Sequence, residues 1–528
     1  MPLETEILTD GEVGFVGVAS RDNPIAIKPG YVQYAQNIRM DRGVATVRLG
    51  ATRKTQGDAI GQTIFASGVF SDSATGTERI VLVSDIAIYI YNATDFSFTK
   101  VDYPAGQMVA LTDAVDTLQA DDKFYIFRGQ VSGKPVMYWD GLTTIVVMPN
   151  NVPSGSSATF PPTDFGIYFQ NRIVVKRDRD NIAASDILDF GTWDLTFNQF
   201  KINLGANDSI VGFLPWQEDK IVLFQRNSIY YAYIDPNGYV TGAGPGSQSY
   251  VKTLTFDIGC NARRSIVNAG DHIFFLSDSG VHILTPSLDL KLLGNQQPLS
   301  APIADIIAKI NIAAASGAVG RIYNNRYYLA VPINGATRNN AVLVYSMLNK
   351  AWESIDIYPD GMFIDSFCIA LQGQGRRLFA TSREGGIFLL EDSVNDEFEV
   401  LSNNPIIPFV LPAVINTSYL QHNVPGQVLT RRYHFGSFAE KRFSSSRMDF
   451  SLNSGDSMKV TAIASNPDSG QVILEFGSGT DEDYTKRVRI AQRGAGVELL
   501  VESVTGRPTI RGLSVDATIV GGRLVGAS

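Results

Sequence analysis

Cysteine is almost absent from this chain of 528 residues: only Cys260 and Cys368 occur. Two thiols cannot form a disulfide framework, so buried apolar surface must hold the fold. Both read as small buried hydrophobes in a protein made in a reducing compartment. Histidine and tryptophan are equally scarce, at four residues each. Charged residues reach only 18% against 44% hydrophobic, which excludes a disordered chain. No basic surplus exists: 44 Lys and Arg face 53 Asp and Glu, a net charge of −9. That is not the footprint of a protein that grips nucleic acid through phosphates. DNA passing by is compatible with it, because a like-charged wall would not hold the duplex. Long apolar runs are missing too. The longest helix-like stretch, 300–320, carries Asp305 and Lys309 and is no membrane span. The N-terminus, MPLETEILTDGEVGF, has acidic residues where a signal peptide needs basic ones, and lacks an apolar core. A cleaved export signal is not expected.

What is abundant is glycine (48), phenylalanine (29) and tyrosine (21). Many turns with many aromatics favour strands over helices. Residues 272–284, HIFFLSDSGVHIL, read as a hairpin around an Asp/Gly turn. The same phrase recurs: a basic residue, a β-rich run, a polar turn, a second β-rich run. It begins at Arg79, Lys123, Arg172, Lys220, His272, Arg326 and Arg377, at spacings of 44, 49, 48, 52, 54 and 51 residues. A short apolar segment and a polar turn precede the phrases, as in IVGFLPWQED before Lys220 and DFGIYFQN before Arg172. A further strand often follows, as in FSFTKVDY (96–103), TTIVVMPN (143–150) and KAWESIDIY (350–358). Four strands in about 50 residues is one propeller blade. The predicted fold is therefore all-β: a β-propeller of six or seven blades, seven being favoured, over residues 59–393. Two stacked β-sandwiches are the competing architecture. A short amphipathic helix is expected near 300–318, after Pro302, with Ile303, Ile306, Ile307, Ile310 and Ile312 on one face.

The two ends differ from the middle. Residues 1–58 hold few long strands and read as an N-terminal arm or platform segment. Residues 394–528 carry strand candidates at 427–436, 446–453, 458–466, 470–477, 484–492, 497–504 and 509–520. Their alternating pattern indicates a C-terminal β-sandwich that joins the platform. The segment VNDEFEVLSNNPIIPFVLP (394–412) reads as the linker.

No constellation of catalytic residues emerges, and no catalytic, cofactor or metal residue is assigned. His272 and His282 share a hairpin in which they would face each other, yet no further ligands stand at a metal-binding spacing. His422 and His434 are isolated. GAGPGS (242–247) lacks a following helix and is a loop rather than a phosphate cradle. SGTDEDYTK (478–486) groups three carboxylates; a solvated hairpin tip is favoured over a calcium loop. KRDRDN (176–181) is a self-neutralising turn. NATD (92–95) and NTSY (416–419) match a glycosylation pattern that means nothing without secretion. A propeller glycosidase would need paired carboxylates, which the sequence does not pair.

Three segments carry a resemblance. NPIAIKPGYVQYAQNIRMDRGVATVRLGATR (23–53) is similar to the opening of tail proteins from short-tailed bacteriophages, through Pro29, Gly30, Ala35, Asn37, Arg39, Gly43, Arg48 and Gly50. NNRYYLAVP and VLVYSMLNKAWES resemble their blades, and TGRPTIRGLSVDAT their last sandwich strand. The family is the tail nozzle, also called tail tubular protein B or packaged-DNA stabilisation protein. The resemblance implies a structural virion protein and not an enzyme. It implies a homo-hexameric ring on the tail adaptor and portal complex, with tail fibres or a needle nearby. The ring would retain packaged DNA, then conduct it at ejection without specific binding. Such a protein is made in the host cytoplasm and resides in the phage tail. Extended N- and C-terminal segments would pair across subunits, and loss of residues 1–50 would leave the propeller folded but unable to assemble. Two other readings compete: a phage receptor-binding module that binds a host surface glycan, and a propeller hydrolase.

Overall fold

The computed structural model describes residues 7–54, 63–93, 98–148, 160–202, 208–235, 247–285, 297–400, 419–464 and 470–520. It is almost entirely β. Each of the seven repeated phrases forms the second and third strands of one sheet, as in Glu78–Val83 with Ala87–Asn92 and Arg326–Val331 with Ala341–Ser346. The segment before each phrase is the innermost strand. Three of the turns between them, Asp121-Asp122, Gln170-Asn171 and Asn324-Asn325, have positive φ at both residues. These are the two-residue turns whose twist suits a tight hairpin, and Asn and Asp tolerate them best. The middle strands are buried on both faces; Arg326–Val331 and Ala341–Ser346 have no exposed residue. That is why the phrases read as unbroken apolar runs rather than as alternation.

Five sheets are four-stranded blades of a β-propeller, a further four-strand blade is the first part of a ten-stranded sheet, and a three-stranded sheet stands in the ring between the fourth blade and the last two. Its short inner strand, Val267–Asn268, is preceded by a 3-10 turn at Arg263–Ser265. Each sheet covers its neighbour. Phe70, Val81 and Ile88 of the first blade pack on Phe124, Met137 and Trp139 of the second. The ring closes where Ile80, Leu82 and Tyr91 of the first blade meet Cys368, Phe379 and Leu389 of the last. Face-to-face burial around a ring leaves only short edges, which excludes the two-sandwich alternative. Both cysteines are buried and unpaired, and burial pushes the Cys260 thiol up to about 12.

The expected helix is short. It comprises a 3-10 turn at Ala301–Ile303 and an α turn at Ala304–Ile307, with another 3-10 turn at Ala315–Gly317. Ile303, Ile306 and Ile310 are buried, but the helix ends before Ile312, which is exposed.

The chain ends correct the predicted boundaries. Of the arm and the platform segment expected at the N-terminus, residues 7–54 are not an arm: their strands lie in sheets shared with the C-terminal region and the ring. The strand Leu8–Glu12 pairs with Thr509–Ile519 near the C-terminus. Tyr31–Gln36 lies between the outer blade strand Ala351–Ile357 and Gln427–Thr430. The hairpin Ile38–Asp41 with Val44–Val47 joins the C-terminal sheet. Gly50–Arg53 is the fourth strand of the last blade, paired with Ile387–Ser393, so the propeller begins before residue 59. The C-terminal region does form two sheets, but one of them is a single ten-stranded sheet that continues through Tyr31–Gln36 into the sixth member of the ring. The predicted linker also begins too early: Asn395–Val400 is a strand paired with Tyr419–Asn423. Its remainder, 401–412, is outside the described residues, as is most of GAGPGS and part of each glycosylation match.

Candidate functional site

The residues that carried the resemblance gather at the joint between propeller and platform. Two buried arginines of the N-terminal segment would be costly in an apolar core unless each met a carboxylate. Both do. Arg48 is 1% exposed and grips Asp396, also 1% exposed, through Nη1 and Nη2 at 2.9 and 2.7 Å. Its remaining donors reach Asn37 Oδ1, Leu49 O and Ile357 O, and its guanidinium lies 4.2 Å from the ring centre of Tyr358. Planar, two-pronged pairing of this kind is the strongest side-chain ion pair available.

Arg39 repeats the arrangement one turn of chain earlier. It donates to both oxygens of Asp356 at 3.0 and 2.6 Å and to Glu391 Oε1 at 2.9 Å. Burial alone would raise the Glu391 carboxyl, but Arg39 and the hydroxyl of Tyr328 outweigh it and hold the group below its ordinary value. Beside it, Glu353 accepts the Met40 amide and is clasped by Arg326, whose Nη2 also reaches Asp41 at 2.7 Å. The strand Ala351–Ile357 therefore offers Glu353, Ser354 and Asp356 to residues 38–40.

Asn37 is the hub. It is fully buried and has φ 56°, a region Asn tolerates better than most side chains. Its amide donates to Ile355 O, its Oδ1 accepts from Arg48 Nε and the Ile357 amide, and its Nδ2 donates to Pro425 O. One side chain thus ties the N-terminal segment, a blade and the C-terminal region. Gly43, at φ 82° after Arg42 at 52°, turns the hairpin. A Cβ on Gly50 would lie 2.1 Å from Asn395 O, so only glycine lets this strand pass. A second joint repeats the logic: Arg431 pairs with Asp10 and Glu12 at 2.6 Å each.

Sequence reasoning placed the arginines but missed their partners. Glu353 and Asp356 fall in a segment read only as a further strand (350–358), and Asp396 in one read as a linker. The available signal was the pair of arginines in an apolar segment, which required two carboxylates elsewhere. The histidines do not form a pair. His282 lies opposite Phe275, stacks on it and bonds Ser279, whereas His272 precedes the strand and meets Asp271. Among the described residues no group of three His, Cys, Asp or Glu could hold a metal. In 478–486, Asp481 accepts the Ser454 amide and Asp483 pairs with Arg511, so the three carboxylates are not gathered. In KRDRDN, Arg179 does pair with the adjacent Asp180.

The fold and this joint define a class: a β-propeller whose two chain ends are folded together into a platform continuous with one blade. No family model and no curated protein matches the chain. A chain from the crystal structure of a mitotic checkpoint complex matches over 65% of this chain and 94% of its own, with 10% identity and a TM-score of 0.39. No helix among the described residues is long and apolar enough to cross a membrane.

Proposed function

We propose that this protein is a structural tail component, the nozzle subunit of a short-tailed phage, which forms a hexameric ring below the adaptor and portal. The observation that carries the reading is the joint: the residues of the nozzle-like opening, Asn37, Arg39, Arg48 and Gly50, lock propeller and platform through buried ion pairs. A ring wall needs such a stiff stave. The platform also supplies edges for subunit contact. Gln471–Gly477 and Glu482–Arg489 end their respective sheets, are consecutive in the chain, and so leave both sheets open on one side. Open edges invite strand pairing unless they are protected, and a second subunit is one way to cover them. The net charge of −9 suits a lumen through which DNA slides without sticking.

The role given to residues 1–50 changes within this reading. Residues 7–50 are internal scaffold of their own subunit, so deleting them would strip Asp356 of Arg39 and Asp396 of Arg48 and remove platform strands. The informative perturbation is at the edge instead. Val472, 48% exposed on Gln471–Gly477, can be changed to Lys without touching the joint. Light scattering and negative-stain imaging, alone and with adaptor–portal complex, test the reading. The wild type should give a six-fold ring with an axial hole, alone or on the adaptor, and Val472→Lys should weaken it. Monomers or trimers that ignore the adaptor would refute the nozzle and favour a receptor-binding module.

A further inference from the structure

The axis of the propeller holds a cavity of about 440 Å³. It lies where the innermost strands begin, and residues just before or at the start of each contribute to its wall. Cavities of this size accommodate small molecules. Five cations line it: Lys176, Arg263, Arg264, Arg338 and Arg383. Four carboxylates line it too, and each is engaged by a cation. Asp113 meets Lys134, Asp116 meets Arg263, Asp164 meets Lys176, and Asp365 meets Arg338.

Arg338 also pairs with Glu384, and Arg383 shares Asp365 at 3.9 Å, so Arg264 is left over. Its Nη2 donates to Val115 O at 2.9 Å, and no carboxylate among the described residues pairs with it. Burial, and then the charges of Arg263 and Arg383, pull its pKa down against the opposing pull of Asp116 and Asp365. Two further donors in the same wall, Arg263 Nε and Arg338 Nε, are buried without an acceptor. Unfilled guanidinium donors in a walled site are costly, and an oxyanion would satisfy them. With Lys134 and Glu384 counted beside the lining residues they pair with, six cations face five carboxylates, and one surplus cation calls for one negative charge, because a dianion would also meet the wall's carboxylates. Thr63, Ser316 and Thr337 in the wall add hydroxyls suited to a hydroxylated ligand.

We propose that the axial cavity is a binding site for a small hydroxylated carboxylate, of the sugar-acid class, held by Arg264. The site lies within one subunit and does not depend on ring assembly.

Isothermal titration of the full chain with D-glucuronate tests this, with D-glucose, sulfate and inorganic phosphate as comparison probes. Glucuronate should bind at one site per chain and glucose should not. Arg264→Gln should weaken glucuronate by roughly 10-fold or more, the loss expected for a hydrogen-bonded charge. Should that variant fail to fold by circular dichroism, Ser316→Phe, on an exposed wall position, should block the cavity and abolish binding. Absence of glucuronate binding at tens of millimolar overturns the proposal. So does tighter binding of sulfate or phosphate, equal binding of glucose, or unchanged affinity in the folded variants.

Discussion

Replacing Arg48 by alanine isolates the central claim about the joint. The substitution leaves Asp396 buried and uncompensated, removes the donor to Ile357 O, and frees Asn37 Oδ1 of one of its two donors. Breaking a buried pair from one side costs about 3–5 kcal/mol. Unfolding entropy near 2.1 cal/mol/K per residue gives about 1.1 kcal/mol/K for 528 residues. The melting temperature should therefore fall by about 3–5 °C if the chain melts as one body. A larger fall in an early transition would mean that the platform melts first. Differential scanning calorimetry reads both. The double variant Arg48→Leu with Asp396→Leu removes both charges and should lose less than Arg48→Ala, since apolar replacement of a whole pair is often neutral. The surface pair Lys100–Asp102 is the control; Lys100→Ala should shift melting by under about 1 °C. A fall below about 1 °C for Arg48→Ala, or a double variant worse than the sum of the singles, would refute the reasoning.

Four other outcomes are expected. Asn37→Ala should destabilise by about 1 kcal/mol more than Asn37→Gly, because both lose the side-chain bonds but only Ala strains at φ 56°; urea titration compares them. Gly50→Ala should cost at least about 1–3 kcal/mol, since its Cβ meets the backbone of Asn395 and Asp396, and thermal melting reads the loss. Glu391 has a folded pKa below its ordinary 4.5, so its contribution is present above that value and lost as pH falls through the folded one; Glu391→Gln should flatten the acid limb of stability against pH. Burial holds His282 below its ordinary 6.5. The unfolded chain then binds a proton first, stability declines as pH drops below about 6.5, and His282→Phe should remove that decline.

The propeller was legible because its signal is local. A basic residue, a buried run and a polar turn lie within some 20 residues, and each hairpin closes on itself. Arg326 starts a buried strand and is satisfied by Glu353 across the blade. The platform was legible as strands but not as a unit, because its pairings join opposite ends of the chain. Leu8–Glu12 against Thr509–Ile519 leaves no periodic trace. The same holds for Asp396 and Asp356, whose burial depends on residues more than 300 positions away. The axial cavity was illegible for a related reason: Lys176, Arg264 and Arg383 lie in different repeats, and only ring closure assembles them.

The pairing of the two chain ends has a consequence for synthesis. Thr9 bonds Asp516, 507 residues later. At roughly 5–20 residues per second, the first strand waits about 25–100 s on the ribosome for its partner. Gly50–Arg53 waits about two-thirds as long for the strand that seats it in the last blade. During that interval the early blades can fold locally, while Arg39 and Arg48 have no carboxylates to meet. A chain released early would carry an open ring and two orphaned guanidinium groups. Completion of translation is thus written into the fold as a condition of its stability, and truncated copies expose unpaired sheet edges.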